Sequence, residues 1–139
     1  MTDVIGSLVF DSWLQPIPEL RASALEDRHL IYEGGGIILD LLLKKSGDAT
    51  CIHIGGQVLP EDNELTSVSD VQVLVEQGTS RSCTHTNALG EFTFHAVPNG
   101  TLDLAIILKD RRFIVRGLWN ENPRMWRVVL SVAVGGGVK

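Results

Sequence analysis

Apolar and polar residues alternate with a period of two along most of this chain, in short runs separated by glycine, asparagine and proline. Val71, Val73 and Val75 alternate with Gln72, Leu74 and Glu76. Phe92 and Phe94 share a face, and Glu91, Thr93 and His95 take the other. Leu102, Leu104, Ile106 and Leu108 form the next apolar face, and Phe113, Val115, Gly117 and Trp119 are expected to form another. Side chains two apart on a strand point the same way, so each run predicts one strand and one wall of a core.

The separators carry turn chemistry. Asn87-Ala88-Leu89-Gly90 is expected to join a strand around Ser82–Thr86 to Glu91–His95. Pro98-Asn99-Gly100 and Lys109-Asp110-Arg111 are the next two reversals. Asparagine and glycine tolerate the positive φ that tight turns need, and strands this close in sequence pair most easily as antiparallel neighbours. The acidic stretch Glu61-Asp62-Asn63-Glu64, running on to Asp70, reads as a polar loop without the carboxylate spacing of an EF-hand.

The first third is less regular. Val4–Phe10 reads as one strand, and Asp11–Pro18 as an extended connection containing two prolines. Pro18–Arg28 permits a helical turn or two. His29–Glu33 and Ile37–Lys45 flank Gly34-Gly35-Gly36, which predicts a hairpin, although the leucine-rich second arm would tolerate a helix in isolation. Thr50–Leu59 leads into the regular strands. The expected organisation is an N-terminal elaboration over residues 1–49 packed on a β-sandwich over 50–134, with a flexible tail over 135–139.

Composition narrows the function classes. The chain has 139 residues, 44% hydrophobic and 21% charged, enough for one domain with its own core. A formal charge of −5 argues against nucleic acid as a partner. Arg111, Arg112, Arg116, Arg124 and Arg127 gather near the C-terminus and read as a solvated edge or hairpin. No apolar stretch approaches the roughly 20 residues of a membrane-spanning helix. Met1-Thr2-Asp3-Val4 carries an acid where a secretory signal has basic residues, so a cytoplasmic location is expected. Cys51 and Cys83 do not make a disulfide framework and are expected to be buried thiols.

Residues 56–108 resemble the carboxypeptidase regulatory-like domain, a transthyretin-like (prealbumin-like) β-sandwich. The resemblance rests on Gly56-Gln57-Val58-Leu59, Val71 to Val75, Thr86-Asn87-Ala88-Leu89-Gly90-Glu91-Phe92-Thr93-Phe94, and Val97-Pro98-Asn99-Gly100 before Leu102-Asp103-Leu104. The family usually has aspartate where this chain has Asn87. Phe10 to Pro16, Arg28 to Glu33 and Asp40-Leu41 resemble a segment that precedes the same sandwich in small bacterial proteins. The resemblance implies an all-β, antiparallel, Ig-like or prealbumin-like β-sandwich with an N-terminal strand and hairpin added. It implies a folding, docking or ligand-binding accessory.

Signatures of chemistry are weak. The zinc carboxypeptidase His-x-x-Glu pair is missing, since His29 and Glu33 stand four apart. The Tyr-Arg-Gly-Ser ending of transthyretin-like hydrolases is missing too, as are a Gly-x-Ser-x-Gly elbow and a phosphate loop. Cys51-Ile52-His53 and Cys83-Thr84-His85 are two Cys-x-His pairs. Each places both side chains on one face of a strand, and four such groups could hold zinc if the faces met. The blander reading is two unrelated strands. Trp13, Trp119, Trp126 and Tyr32 could stack on sugar rings if exposed, or pack in the core or at an edge.

These features predict a non-catalytic module, without cofactor, that recognises a protein partner through loops or an edge strand. No small-molecule ligand is indicated, and no residue is assigned a catalytic role. The alternative is a self-assembling structural subunit. Its motivation is the uniformly apolar run Arg127–Val134, whose Val128, Leu130, Val132 and Val134 would form an edge without a charged gatekeeper. A carbohydrate-binding module is the third reading.

Overall fold

Ten strands account for the alternating runs in the computed structural model, which describes residues 2–14, 27–45, 50–61 and 67–119. They are β1 (Thr2–Ile5), β2 (Ser7–Asp11), β3 (Arg28–Gly34), β4 (Ile37–Lys45), β5 (Cys51–Pro60), β6 (Gln72–Gln77), β7 (Ser80–His85), β8 (Glu91–Pro98), β9 (Thr101–Ile107) and β10 (Arg111–Trp119). There is no helix among the described residues. One sheet has the order β1-β10-β9-β6-β7 and the other β2-β3-β4-β5-β8. All pairings are antiparallel except β1 with β10. The predicted all-β sandwich is the fold. Because β4 and β5 pair over nine residues, the strands before and after residue 50 share one sheet.

The core forms where the inward faces of the two sheets meet. Leu30, Leu39, Leu41, Ile54 and Val58 from one sheet pack with Val73, Leu104, Ile106 and Phe113 from the other. The leucine-rich arm is a strand because its neighbours on both sides are strands. Ile37, Leu39, Leu41 and Leu43 point inward, and Ile38, Asp40 and Leu42 are half-buried on the outer face. Its hairpin with β3 closes through Gly35 and Gly36, at φ 57° and 82°. Positive φ at both central residues suits the right-handed twist of a two-residue hairpin.

Two predictions of strand phase are corrected. Val4–Phe10 is two strands in different sheets, not one. The chain crosses between sheets at Gly6, whose N–H donates to the Ile114 carbonyl at 2.8 Å. A Cβ there would lie 2.6 Å from Cζ of Phe113, so only glycine lets the crossing close over that ring. In β10, Phe113 and Val115 point inward as expected, but Leu118 follows them, not Gly117. Arg116 and Gly117 together oppose Asp103, and this bulge reverses the inward phase. Gly117 has φ 64°, and its N–H donates to Asp103 Oδ1 at 2.8 Å.

Residues 1, 15–26, 46–49, 62–66 and 120–139 lie outside the described residues. They include most of the predicted connection and helical turn, most of the acidic loop, the predicted strand Arg127–Val134 and the tail.

Candidate functional site

The β2 side of the second sheet begins at an ion pair between Asp11 and Arg28. Asp11, 3% exposed at the end of β2, accepts hydrogen bonds from the Trp13 N–H at 3.0 Å and from Arg28 Nε at 3.1 Å. Arg28 Nη2 reaches the second carboxylate oxygen at 2.5 Å. The same guanidinium lies 4.5 Å above the Trp13 ring, whose Nε1 donates to the Asp27 carbonyl at 3.1 Å. Ser12 exchanges two further bonds with His29: its N–H donates to the His29 carbonyl, and its Oγ accepts the His29 N–H. Together these contacts hold the chain leaving β2 against the start of β3.

That anchoring fixes an apolar edge. Among the described residues β2 is hydrogen-bonded to β3 only, and the register shifts between Leu8 and Phe10. With the extra residue inserted there, Leu8 and Val9 are both solvent-facing, at 44% and 51% exposure. Ile5 on β1 and Leu14 after β2 are also exposed. Four of the five exposed large hydrophobic residues among the described ones therefore fall between positions 5 and 14; the fifth, Leu89, is at a turn.

Between the outer face of the same sheet and the end of β7 is a shallow hollow of about 740 Å³. A Cβ added at Gly55 would meet nothing within 4 Å, so this glycine leaves a gap in the wall of side chains. Asp40, Gln57, Glu91 and His85 border it. Asp40 Oδ1 lies 2.7 Å from His29 Nε2 on the neighbouring strand, and both side chains are about 40% exposed. Gln57 donates to the Leu89 carbonyl at 3.0 Å. The hollow offers hydrogen-bonding groups and little apolar enclosure.

The two Cys-x-His pairs do not converge. Cys51 and His53 stand on β5, Cys83 and His85 on β7, in different sheets. Among the described residues no three or more His, Cys, Asp or Glu side chains are grouped to hold a metal. The four-ligand zinc arrangement is therefore not formed. His53 Nδ1 instead accepts the Ala96 N–H at 3.3 Å, where β8 bulges with Ala96 at φ 57°, and its ring meets that of His95 edge-on. The expectation of buried thiols is corrected as well: Cys51 is half-buried and Cys83 exposed, because Cys83 pairs with Leu74 on the outer face of the first sheet.

Of the four aromatic candidates for sugar stacking, Tyr32 and Trp13 do not present an exposed ring, and the side chain of Trp119 is outside the described region. Tyr32 is in the core, and burial pushes its phenol above the ordinary value. Trp13 is half-buried beneath Arg28. Trp126 and the edge candidates Val128, Leu130, Val132 and Val134 lie outside the described residues. The apolar edge at Leu8 and Val9 is the feature that periodicity alone did not reveal. The signal was the run Leu8-Val9-Phe10, three apolar residues where strict alternation would expose one.

No helix among the described residues is long and apolar enough to cross a membrane. Comparison with protein-family models, with curated proteins and with solved structures found no match.

Proposed function

We propose that this chain is a non-catalytic β-sandwich module that docks a protein partner along the β2 edge. The observation that carries this reading is the concentration of exposed Leu8, Val9 and Leu14 along or next to a strand that, among the described residues, is bonded on one side only. An open strand offers unpaired backbone donors and acceptors, and adjacent apolar side chains add affinity when an extended segment pairs with it. Asp11, Arg28 and Trp13 hold that strand in place, which lowers the ordering cost of docking. The reading that residues 56–108 form a carboxypeptidase regulatory-like unit is supported by the inward Phe92 and Phe94 and by the tight Asn87–Gly90 turn.

The same edge favours a second reading, self-association. A photo-crosslinking amino acid at position 9 of the full chain, irradiated in cells, separates the two. The docking reading expects a discrete adduct with a different protein, absent when the crosslinker sits at exposed Asn99 on the far turn. An adduct between two copies of the chain would select self-assembly. Absence of any position-9 adduct would overturn both.

A further inference from the structure

The outer face of the first sheet presents a second surface, built from three cross-strand rows. In the middle row Ile5, Ile114, Ala105, Leu74 and Cys83 stand side by side across all five strands. Ile114 is only 9% exposed although it lies outside the sandwich core cluster. Asp3, Arg112, Ile107, Gln72 and His85 form the row on one side. On the other side Arg116 and Gly117 face Asp103, followed by Glu76 and Arg81. A hollow of about 290 Å³ lies between the charged rows.

We propose that this face pairs with the same face of a second copy, about a two-fold axis running along β9. The argument is charge complementarity. Such an axis reverses the strand order and keeps each row opposite itself. Arg116 then faces Glu76 of the second copy, Asp3 faces His85, and Arg112 faces Gln72, each contact occurring twice. In the apolar row Ile114 faces Leu74, Ile5 faces Cys83, and the small Ala105 meets its own counterpart on the axis. A two-fold axis along the apolar row would instead set Arg112 against Arg116, which selects the first arrangement. The Asp103 pair on the axis is the one like-charge meeting, and each carboxylate already accepts its own Gly117 N–H. Five strands about 4.8 Å apart, crossed by five residues of about 3.4 Å rise, span roughly 400 Å² in projection. Counted on both partners that is about 800 Å², below a standard interface, which fits a weak, reversible dimer.

This inference is independent of docking at the β2 edge, which is in the other sheet. The test is the solution mass of the full chain by light scattering across about 5 to 500 µM. The wild type is expected to move from the 15.2 kDa chain mass towards twice that value. Arg116→Glu and Glu76→Arg should each weaken the dimer at least 10-fold, and the double variant should recover most of it, because the swap restores opposite charges across the axis. Ala105→Glu, on the axis itself, should abolish the dimer whatever the fate of the other variants. Circular dichroism confirms that each variant is folded. A wild type that stays monomeric to 500 µM overturns the proposal. So does a dimer indifferent to Ala105→Glu, or a double variant no better than its singles.

Discussion

Gly90, in the turn before β8, lies against the main chain of Val58 on β5. The Val58 N–H donates to the Gly90 carbonyl at 2.9 Å, and a Cβ added to Gly90 would collide with the Val58 carbonyl oxygen. Gly90 also has φ 80°. The residue therefore meets two demands at once, a left-handed backbone and the close approach of another main chain.

Gly90→Ala is expected to destabilise the fold by about 2–4 kcal/mol, measured as a shift in urea midpoint at constant slope. Gly78→Ala is the comparison, because Gly78 has φ 60° but open space where a Cβ would go. It should cost only the backbone component, about 1–2 kcal/mol. Equal losses at the two sites would mean that the Val58 contact adds nothing.

Asn87 organises the same turn. Its Oδ1 accepts the N–H groups of Leu89 and Glu91, both at 2.9 Å, and its Nδ2 donates to Glu91 Oε1 at 2.9 Å. Asn87→Ala should cost about 1–2 kcal/mol. Asn87→Asp keeps the acceptor but sets a second carboxylate beside Glu91. Its loss should shrink as sodium chloride is raised from 20 to 500 mM, whereas the alanine variant should be indifferent to salt.

Asp11 and Arg28 are a largely buried pair, with side chains 2% and 12% exposed. Asp11→Ala removes the buried carboxylate that accepts from Arg28 and from the Trp13 N–H, and should cost about 2–4 kcal/mol. Asp11→Ala combined with Arg28→Met should cost less than Asp11→Ala alone. Additive losses in this cycle would show that the two side chains act separately.

Two groups predict opposite pH dependences. Burial raises the pKa of Tyr32 above 10.0, so the folded state favours the neutral phenol. Its contribution is complete below the unfolded value and is lost as pH rises through the folded one. Tyr32 is the only tyrosine, so absorbance at 295 nm reports it alone, and its ionisation should coincide with loss of structure above pH 10. At the acid end, the hydrogen bond from Arg112 holds Asp3 below 3.8. That contribution is present above 3.8 and is lost as pH falls through the folded value. Asp3→Asn should flatten the stability profile below pH 3.8 and leave the alkaline limb unchanged. The effect will be small, because the pair is exposed.

Local alternation by itself determined where most strands run and which faces they bury. Val71 to Val75, Phe92 with Phe94, and Leu102 to Leu108 all point as their period of two requires. Turn chemistry likewise placed the Gly35-Gly36 and Asn87–Gly90 reversals, because φ preference belongs to the residue itself. Partnership across the molecule lay beyond that reach. The break at Gly6 exists because the Phe113 ring occupies the space of a side chain, and Phe113 is more than a hundred positions away. The phase reversal before Leu118 depends on a bulge opposite Asp103, and the separation of Cys51 and His53 from Cys83 and His85 depends on which sheet each strand joins. Leu8 and Val9 are both exposed because β2 pairs with β3 at a shifted register on the rim of its sheet. A residue's own chemistry sets its strand and its turn, while the surface it presents is set by neighbours that only the folded chain brings to it.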